Sequence, residues 1–284
     1  MSIQSRAEGS TGYLSRLFTI VSTSATQLIN APSQPHRTEA RRALARHALL
    51  TSAVGAVLIV ALIIGFDAQE IALMPPRGTA SLWPFRILTD FGKDTYVLLL
   101  LVLLLLAVAL VAPALHGPTG QRLRAIGLRL QFMLLAVSVP LAVGELVKWT
   151  AGRGRPFVDG QANAFNFTPF VGTEAHASFP SAHAITAFAL ALAVAAIWPR
   201  WRGLMIAYAL LIAFTRLLLL AHHPSDVVAG ATIGIIGVLG VRYWFAVRGL
   251  GFAIGDGGVI SPVAEGPLRG VAAGAPRAFG RFAF

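Results

Sequence analysis

The sequence has no cysteine, only two lysines, and charged residues at 12% of its 284 positions. The absence of cysteine excludes disulfide, iron–sulfur and thiolate chemistry and leaves the redox compartment unreadable. The scarcity of charge excludes more. An average soluble domain carries about a quarter charged residues, because its core must be wrapped in polar side chains. Here 56% of the residues are hydrophobic. The same figures exclude a disordered chain, which combines low hydrophobicity with high charge. Acidic residues are also few, 12 against 23 basic, for a net charge of +11. With lysine limited to Lys93 and Lys148, arginine carries the excess. A basic balance can signal nucleic-acid binding. In a chain this apolar, arginines in loops instead hold membrane topology, and no nucleic-acid partner is expected. The composition predicts an all-α, polytopic membrane protein.

A membrane helix needs about 20 mostly apolar residues. Six segments qualify: His47–Phe66, Thr95–Leu115, Leu130–Val147, Ala184–Trp198, Gly203–Ala221 and Val227–Val247. The second, with its leucine run, is the clearest, and the fourth is short unless it starts near Pro180. The first is preceded by 46 polar and basic residues and has no cleavage pattern, so it does not read as a signal peptide. Alternate connections are basic. Residues 1–46, the loop 116–129, the turn Pro199–Arg202 and the stretch from Arg242 hold 16 of the 23 basic residues. Loops 67–94 and 149–182 are balanced in charge. This alternation predicts six spans with both termini cytoplasmic, in the inner (plasma) membrane.

The domain reading follows. Residues 1–46 form a basic cytoplasmic tail expected to be disordered, 47–247 a six-helix membrane domain, and 248–284 a Gly/Pro-rich cytoplasmic tail. A short amphipathic helix around Glu39–His47 could lie on the inner membrane surface. The outer loop 149–182 is too long for a turn and reads as functional.

Three polar clusters are left unexplained by hydrophobic patterning. One ends the third span with Glu145, Lys148, Arg153, Arg155 and Pro156. One opens the fourth with Pro180-Ser181-Ala182-His183. One joins the fifth and sixth with Thr215-Arg216 and His222-His223-Pro224-Ser225-Asp226. The topology assigns all three to the extracytoplasmic face. Lys148, Arg155 and Arg216 supply positive charge, and arginine forks match phosphate oxygens. Ser181 and the free N–H groups opening the fourth span form an anion cradle. His222 and Asp226, four apart, share a face if both are helical, so the carboxylate can hold one ring nitrogen protonated and free the other for attack. His183 can serve as general acid. Such a set points to phosphoryl transfer through a histidine nucleophile, with no metal or other cofactor required.

These clusters resemble the three motifs of the type 2 phosphatidic acid phosphatase and haloperoxidase superfamily: Lys-x6-Arg-Pro, Pro-Ser-Gly-His and Ser-Arg-x5-His-x3-Asp. Lys148 is followed by six residues and Arg155-Pro156, and Arg216 by five residues, His222, three residues and Asp226. The likeness covers residues 90–245. Ala182 stands where the family has glycine, and Thr215 where it has serine. The resemblance implies that His222 forms a phosphohistidine, Asp226 orients it, and His183 protonates the leaving group. It implies that Lys148, Arg155, Ser181, Ala182 and Arg216 bind the substrate phosphate. The activity it implies is a metal-independent phosphoric ester hydrolase acting on a lipid phosphate or pyrophosphate, of the phosphatidic acid or polyprenyl pyrophosphate type.

Plainer readings compete. Glu145 and Lys148 could be only an intramembrane ion pair. Arg153 reads as a headgroup anchor, His223 as a neighbour of the nucleophile, and His222-His223 alone as a metal pair, though the acidic residues are few. His176 has no assigned role. Trp83, Trp149, Trp198 and Trp244 read as interface anchors, and Asp90 and Asp94 as shaping the first outer loop. Among functions, a lipid-to-lipid phosphotransferase would use the same first step. A transporter is disfavoured because the charges cluster at one end of the spans. A vanadate haloperoxidase fits poorly with so apolar a chain, and a catalytically dead member fits poorly with a full set of side chains.

Overall fold

The computed structural model describes residues 3–32, 34–158 and 164–263. They fall into two compact units, from the stretches Ala45–Leu101 and Met133–Val241, and from Met1–Leu44, Val102–Phe132 and Arg242–Phe284.

Helices run through both units in the order α1 (Ile3–Ile29), α2 (Arg37–Gly65), α3 (Asp67–Leu73), α4 (Trp83–Asp90), α5 (Asp94–Val111), α6 (Gly117–Ala151), α7 (Ala182–Ile197), α8 (Arg202–Leu218) and α9 (Pro224–Val247). Among the described residues, five helical stretches are long and apolar enough to cross a membrane: Arg37–Gly65, Ala80–Ala114, Gly117–Ala151, Pro199–Leu218 and Pro224–Val247. The remaining expected span, the fourth, corresponds to α7, a shorter apolar helix. Its 16 residues rise about 24 Å, less than the roughly 30 Å of a hydrocarbon core.

In the unit that contains it, α7 is enclosed by its neighbours. Ala184, Ile185, Ala187, Ala189, Ala191 and Ala193 are buried. Small residues on the helices around it allow this closeness. A Cβ on Gly230 would stand 2.5 Å from the Ser181 carbonyl oxygen, and one on Gly234 2.8 Å from that of Ile185. On α6, a Cβ on Gly144 would stand 2.2 Å from Ile185 Cδ1. The first turn of α9 is thus held against the start of α7, and proline at the first position of α9 needs no N–H partner there. At the end of α6, Gly152 takes φ +55° and donates its N–H to Lys148 O, closing the helix in the manner of a C-terminal glycine. No side chain fits there, since a Cβ would lie 1.9 Å from Thr168 O. The loop after α6 then folds back, pairing Gly152 with Thr168, Gly154 with Asn166 and Trp149 with Phe170 through backbone bonds.

The other unit differs from the sequence expectation in several ways. Within the segment expected to be a disordered tail lies the 27-residue α1. The stretch Glu39–His47 is not a separate surface helix; it is the opening of α2, continuous with the first span. Arg122, Arg124 and Arg129, expected in a loop, lie on α6, where leucine, glutamine and arginine all favour helix. The fold is mostly helical, as expected, with one short antiparallel hairpin among the described residues, β1 (Phe252–Ile254) with β2 (Ile260–Pro262). Phe252 packs against Phe132, ring centroids 4.8 Å apart, and Phe132 against Phe245 at 5.2 Å. Residues 264–284 of the expected C-terminal tail lie outside the described residues.

Candidate active site

The three sequence clusters meet within the unit that holds α7. The hub is Asp226, in the first turn of α9 and fully buried. Its Oδ2 accepts from the Ser178 hydroxyl at 2.6 Å and from the His223 backbone N–H at 2.8 Å. Its Oδ1 accepts from Arg153 Nη1 at 2.6 Å, and its own carbonyl accepts the Ser181 N–H at 3.0 Å. Asp226 does not reach His222 directly, since Oδ2 lies 3.8 Å from Nδ1, beyond hydrogen-bond range. His222 precedes α9, so the two residues do not share a helical face.

His222 Nδ1 lies instead 2.8 Å from the Ser178 carbonyl oxygen. A carbonyl can only accept, so Nδ1 carries the proton and Nε2 keeps its lone pair. Burial, followed by the nearby Arg216, Arg155 and His183, pushes the His222 ring well below its ordinary range, so it is neutral at physiological pH. Lys93, Lys148, Arg155 and Arg216 also lie within electrostatic reach of His183. Three buried polar atoms in this group have no partner among the described residues: Ser181 Oγ, Arg155 Nε and Arg216 Nε. Buried donors without partners are costly, and these three suit an oxyanion.

The remaining expected residues fall as follows. Ser181 caps α7, and Ala182 opens it in ordinary helical backbone, so alanine in place of glycine introduces no strain. Arg216 donates to Thr89 at 2.8 Å, and Arg155 to the exposed Glu174 at 3.4 Å. Lys148 is paired with Glu145. His176 contacts Thr173 at 3.1 Å in the loop between α6 and α7. His223 is fully buried, and neither ring nitrogen has a partner among the described residues. No group of three or more His, Asp or Glu side chains among the described residues is arranged to hold a metal ion.

Arg153 is not a headgroup anchor. It is fully buried and uses its whole fork inside the protein. Nη2 donates to Asp67 Oδ2 at 2.8 Å and to Ala164 O at 2.7 Å, Nη1 to Ser225 Oγ at 2.6 Å and to Asp226, and Nε to Ala164 O at 3.1 Å. Asp67, at the start of α3, also accepts the Ser225 N–H at 3.0 Å and the Ser225 hydroxyl. The sequence pattern does not single out Asp67 or Ser178, and it marks Ser225 only as a member of the third cluster. The available signal was Asp67 and Glu70, three apart, directly after an apolar span. Arg77 was also passed over. Its Nε and Nη2 hold the carbonyl of Leu220, whose φ is +49°, at the entry to the His222 turn.

Glu70 lies beside this network, 1% exposed, with no partner for either carboxyl oxygen among the described residues. Burial first, then Asp67 and Asp226, raise it from 4.5 to about 8. The folded state therefore holds this proton more tightly than the unfolded chain. The associated stability is full below pH 4.5 and is lost as pH rises through about 8, a change on the order of a few kcal/mol. Glu70→Gln is expected to remove that loss. Thermal unfolding in detergent should show the variant gaining on wild type from pH 5 to pH 9; parallel curves would mean that Glu70 does not titrate in this window.

The family model described as the PAP2 superfamily matches residues 129–250. A lipid A 1-phosphatase of Rhizobium etli is 33% identical over 173 residues, 60% of this chain and 72% of the relative. A lipid A 1-phosphatase of Rhizobium johnstonii is 32% identical over 197 residues, 68% of this chain and 79% of the relative. The putative undecaprenyl-diphosphatase YbjG of Escherichia coli is 33% identical over 123 residues, 41% of this chain and 59% of that protein. No solved structure matches. The chain belongs to the PAP2 superfamily. It is a multi-pass membrane protein and a phosphoric ester hydrolase of that family.

Proposed function

We propose that the protein removes phosphate from a lipid phosphate or pyrophosphate through a phosphohistidine on His222. The observation that carries this reading is the single protonated nitrogen of His222. With Nδ1–H held by the Ser178 carbonyl, Nε2 is free amid cationic side chains. Nε2 attacks phosphorus, and the P–O bond to the lipid breaks as His183, protonated once the bound phosphate offsets the neighbouring cations, gives that oxygen a proton. Water then attacks the phosphohistidine, its proton returning to His183. Lys148, Arg155, Arg216, the Ser181 hydroxyl and the N–H groups opening α7 at Ala182 stabilise the charge on the five-coordinate phosphorus. These fixed charges do what Mg²⁺ does in other phosphoryl transfers, so activity should survive EDTA.

The substrate class rests on two supports. The relatives' names refer to lipid A and to undecaprenyl diphosphate, both amphiphilic phosphates. The outer loop also carries exposed aromatics, Phe165 at 62% and Phe170 at 59%, beside Trp149 at 54%, suited to headgroup depth. The arginine alternation supports six spans, α7 included, with both termini cytoplasmic and the site extracytoplasmic in the inner membrane. By the same reading, 47–247 is the catalytic membrane domain between two cytoplasmic segments.

Phosphate release by the purified protein in detergent micelles is expected with polyprenyl pyrophosphate, phosphatidic acid or a lipid A phosphate, with His222→Ala as the blank. Far higher kcat/KM on a water-soluble phosphomonoester than on every lipid would overturn the substrate class.

A further inference from the structure

The first helix has no part in the site, and its surface is divided in an informative way. Tyr13, Leu17, Ile20, Ser24 and Leu28 form one seven-residue-repeat stripe, and each is half-buried against the rest of its unit. A second stripe is rotated by about a quarter turn. It comprises Leu14, Phe18, Val21, Ala25 and Ile29, and it is uncovered. Leu14 is 62%, Phe18 74%, Val21 53% and Ile29 74% exposed. The remaining arc holds Ser15, Thr19, Thr23 and Thr26.

Where α1 is tied down fixes its depth. Near its middle, Tyr13 OH donates to Leu110 O at 2.6 Å, and Arg16 reaches His116 at 2.9 Å. At its end, Trp244 Nε1 donates to Leu28 O and Arg248 Nη2 to Ile29 O, both at 3.1 Å. Leu110 lies near the end of the candidate span Ala80–Ala114, and Trp244 near the end of Pro224–Val247. The basic connections that follow them, 116–129 and the stretch from Arg242, assign those two ends to one face of the membrane. From Tyr13 to Leu28 the helix rises about 22 Å, so it lies across the span ends. Arg248 stacks on Trp244, 4.1 Å from the ring centroid, an aromatic–cation pair typical of headgroup depth. The same unit presents exposed Arg37, Arg41, Arg42, Arg122 and Arg124.

We infer that α1 is an interfacial helix whose Leu14–Phe18–Val21–Ile29 stripe docks on the acyl chains of the leaflet at that face, with the arginines holding anionic headgroups. An exposed apolar stripe beside a polar face, at the level where spans end, is the arrangement of a helix lying in the membrane plane. Net positive charge around it matches an anionic leaflet and would repel a second copy of the same basic unit. The inference concerns anchoring and holds whether or not the phosphatase chemistry proposed above is right.

The chain has no cysteine, so spin labels can be placed singly in the full-length protein, in vesicles of phosphatidylethanolamine and phosphatidylglycerol. Labels at positions 14, 18 and 21 are expected to show high collision with oxygen and low collision with a water-soluble nickel chelate. Labels at 19 and 23 should show the reverse. Phe18→Glu combined with Val21→Glu, at side chains with no packing to lose, should abolish the oxygen maximum at position 14. Equal nickel access at 14, 18, 19, 21 and 23 would overturn the inference. So would exclusion of both reagents at position 18 with dipolar broadening between copies, which would make the stripe a contact between two chains.

Discussion

His222→Ala is expected to lower phosphate release by roughly 10⁴–10⁶-fold, the scale on which enzymes lose activity when a covalent nucleophile is removed. No other group in the cluster can replace Nε2. His223, the adjacent ring, is fully buried with no hydrogen-bond partner for either ring nitrogen among the described residues, and burial holds it below its ordinary range. His223→Ala should therefore leave a far smaller defect than His222→Ala. His183→Ala removes a proton donor and not the attacking atom, so its loss should be about 10²–10⁴-fold. It should shrink with substrates whose leaving oxygen needs no proton. A dead His223→Ala beside an active His222→Ala would place the nucleophile one residue later.

The second large effect is expected behind the nucleophile, where no substrate reaches. Arg153 is a single cation between two fully buried carboxylates, Asp67 and Asp226. Removing it in Arg153→Ala leaves two buried negative charges, a loss of about 3–5 kcal/mol in comparable buried pairs. That variant should fail to hold its fold in detergent. Asp67→Asn is the gentler probe. It keeps the shape, but its one carbonyl oxygen cannot serve all three donors, the Ser225 N–H, the Ser225 hydroxyl and Arg153 Nη2, and its NH2 would face one of them. The path from there runs through Asp226 to Ser178, whose hydroxyl holds Asp226 and whose carbonyl holds His222. A shift of that turn should lower kcat by about 10²-fold and leave KM nearly unchanged, because Asp67 touches no substrate. Wild-type kcat in a folded Asp67→Asn protein would contradict a positioning role.

What could be read in advance was what depends on local pattern. The leucine run of α5 and the motif spacings from Lys148 to Asp226 need no tertiary context. Burial of a polar side chain does. Arg153 looks like its neighbour Arg155 in the sequence; only the return of α3 and the loop carbonyl of Ala164 distinguish a sealed structural guanidinium from the proposed phosphate ligand. The four-residue spacing from His222 to Asp226 suggested a shared helical face. Helix α9 begins between them, and the orienting bond passed to a backbone carbonyl, which no residue type announces. In α1, two apolar stripes interleave with serine and threonine, so the segment read as a polar tail. The short α7 was recognisable as apolar but not as enclosed, because its neighbours' glycines, Gly144, Gly230 and Gly234, lie far away in the chain.

The most direct test of the central claim is to quench the purified protein during turnover of a phosphorus-labelled lipid phosphate and to locate the label by mass spectrometry of its peptides. The account predicts one acid-labile, alkali-stable phosphate per chain on the His222 side chain, absent in His222→Ala and accumulating when the second, hydrolytic step is slowed. Label on another residue, or full turnover in His222→Ala with no trapped phosphoenzyme, would contradict it.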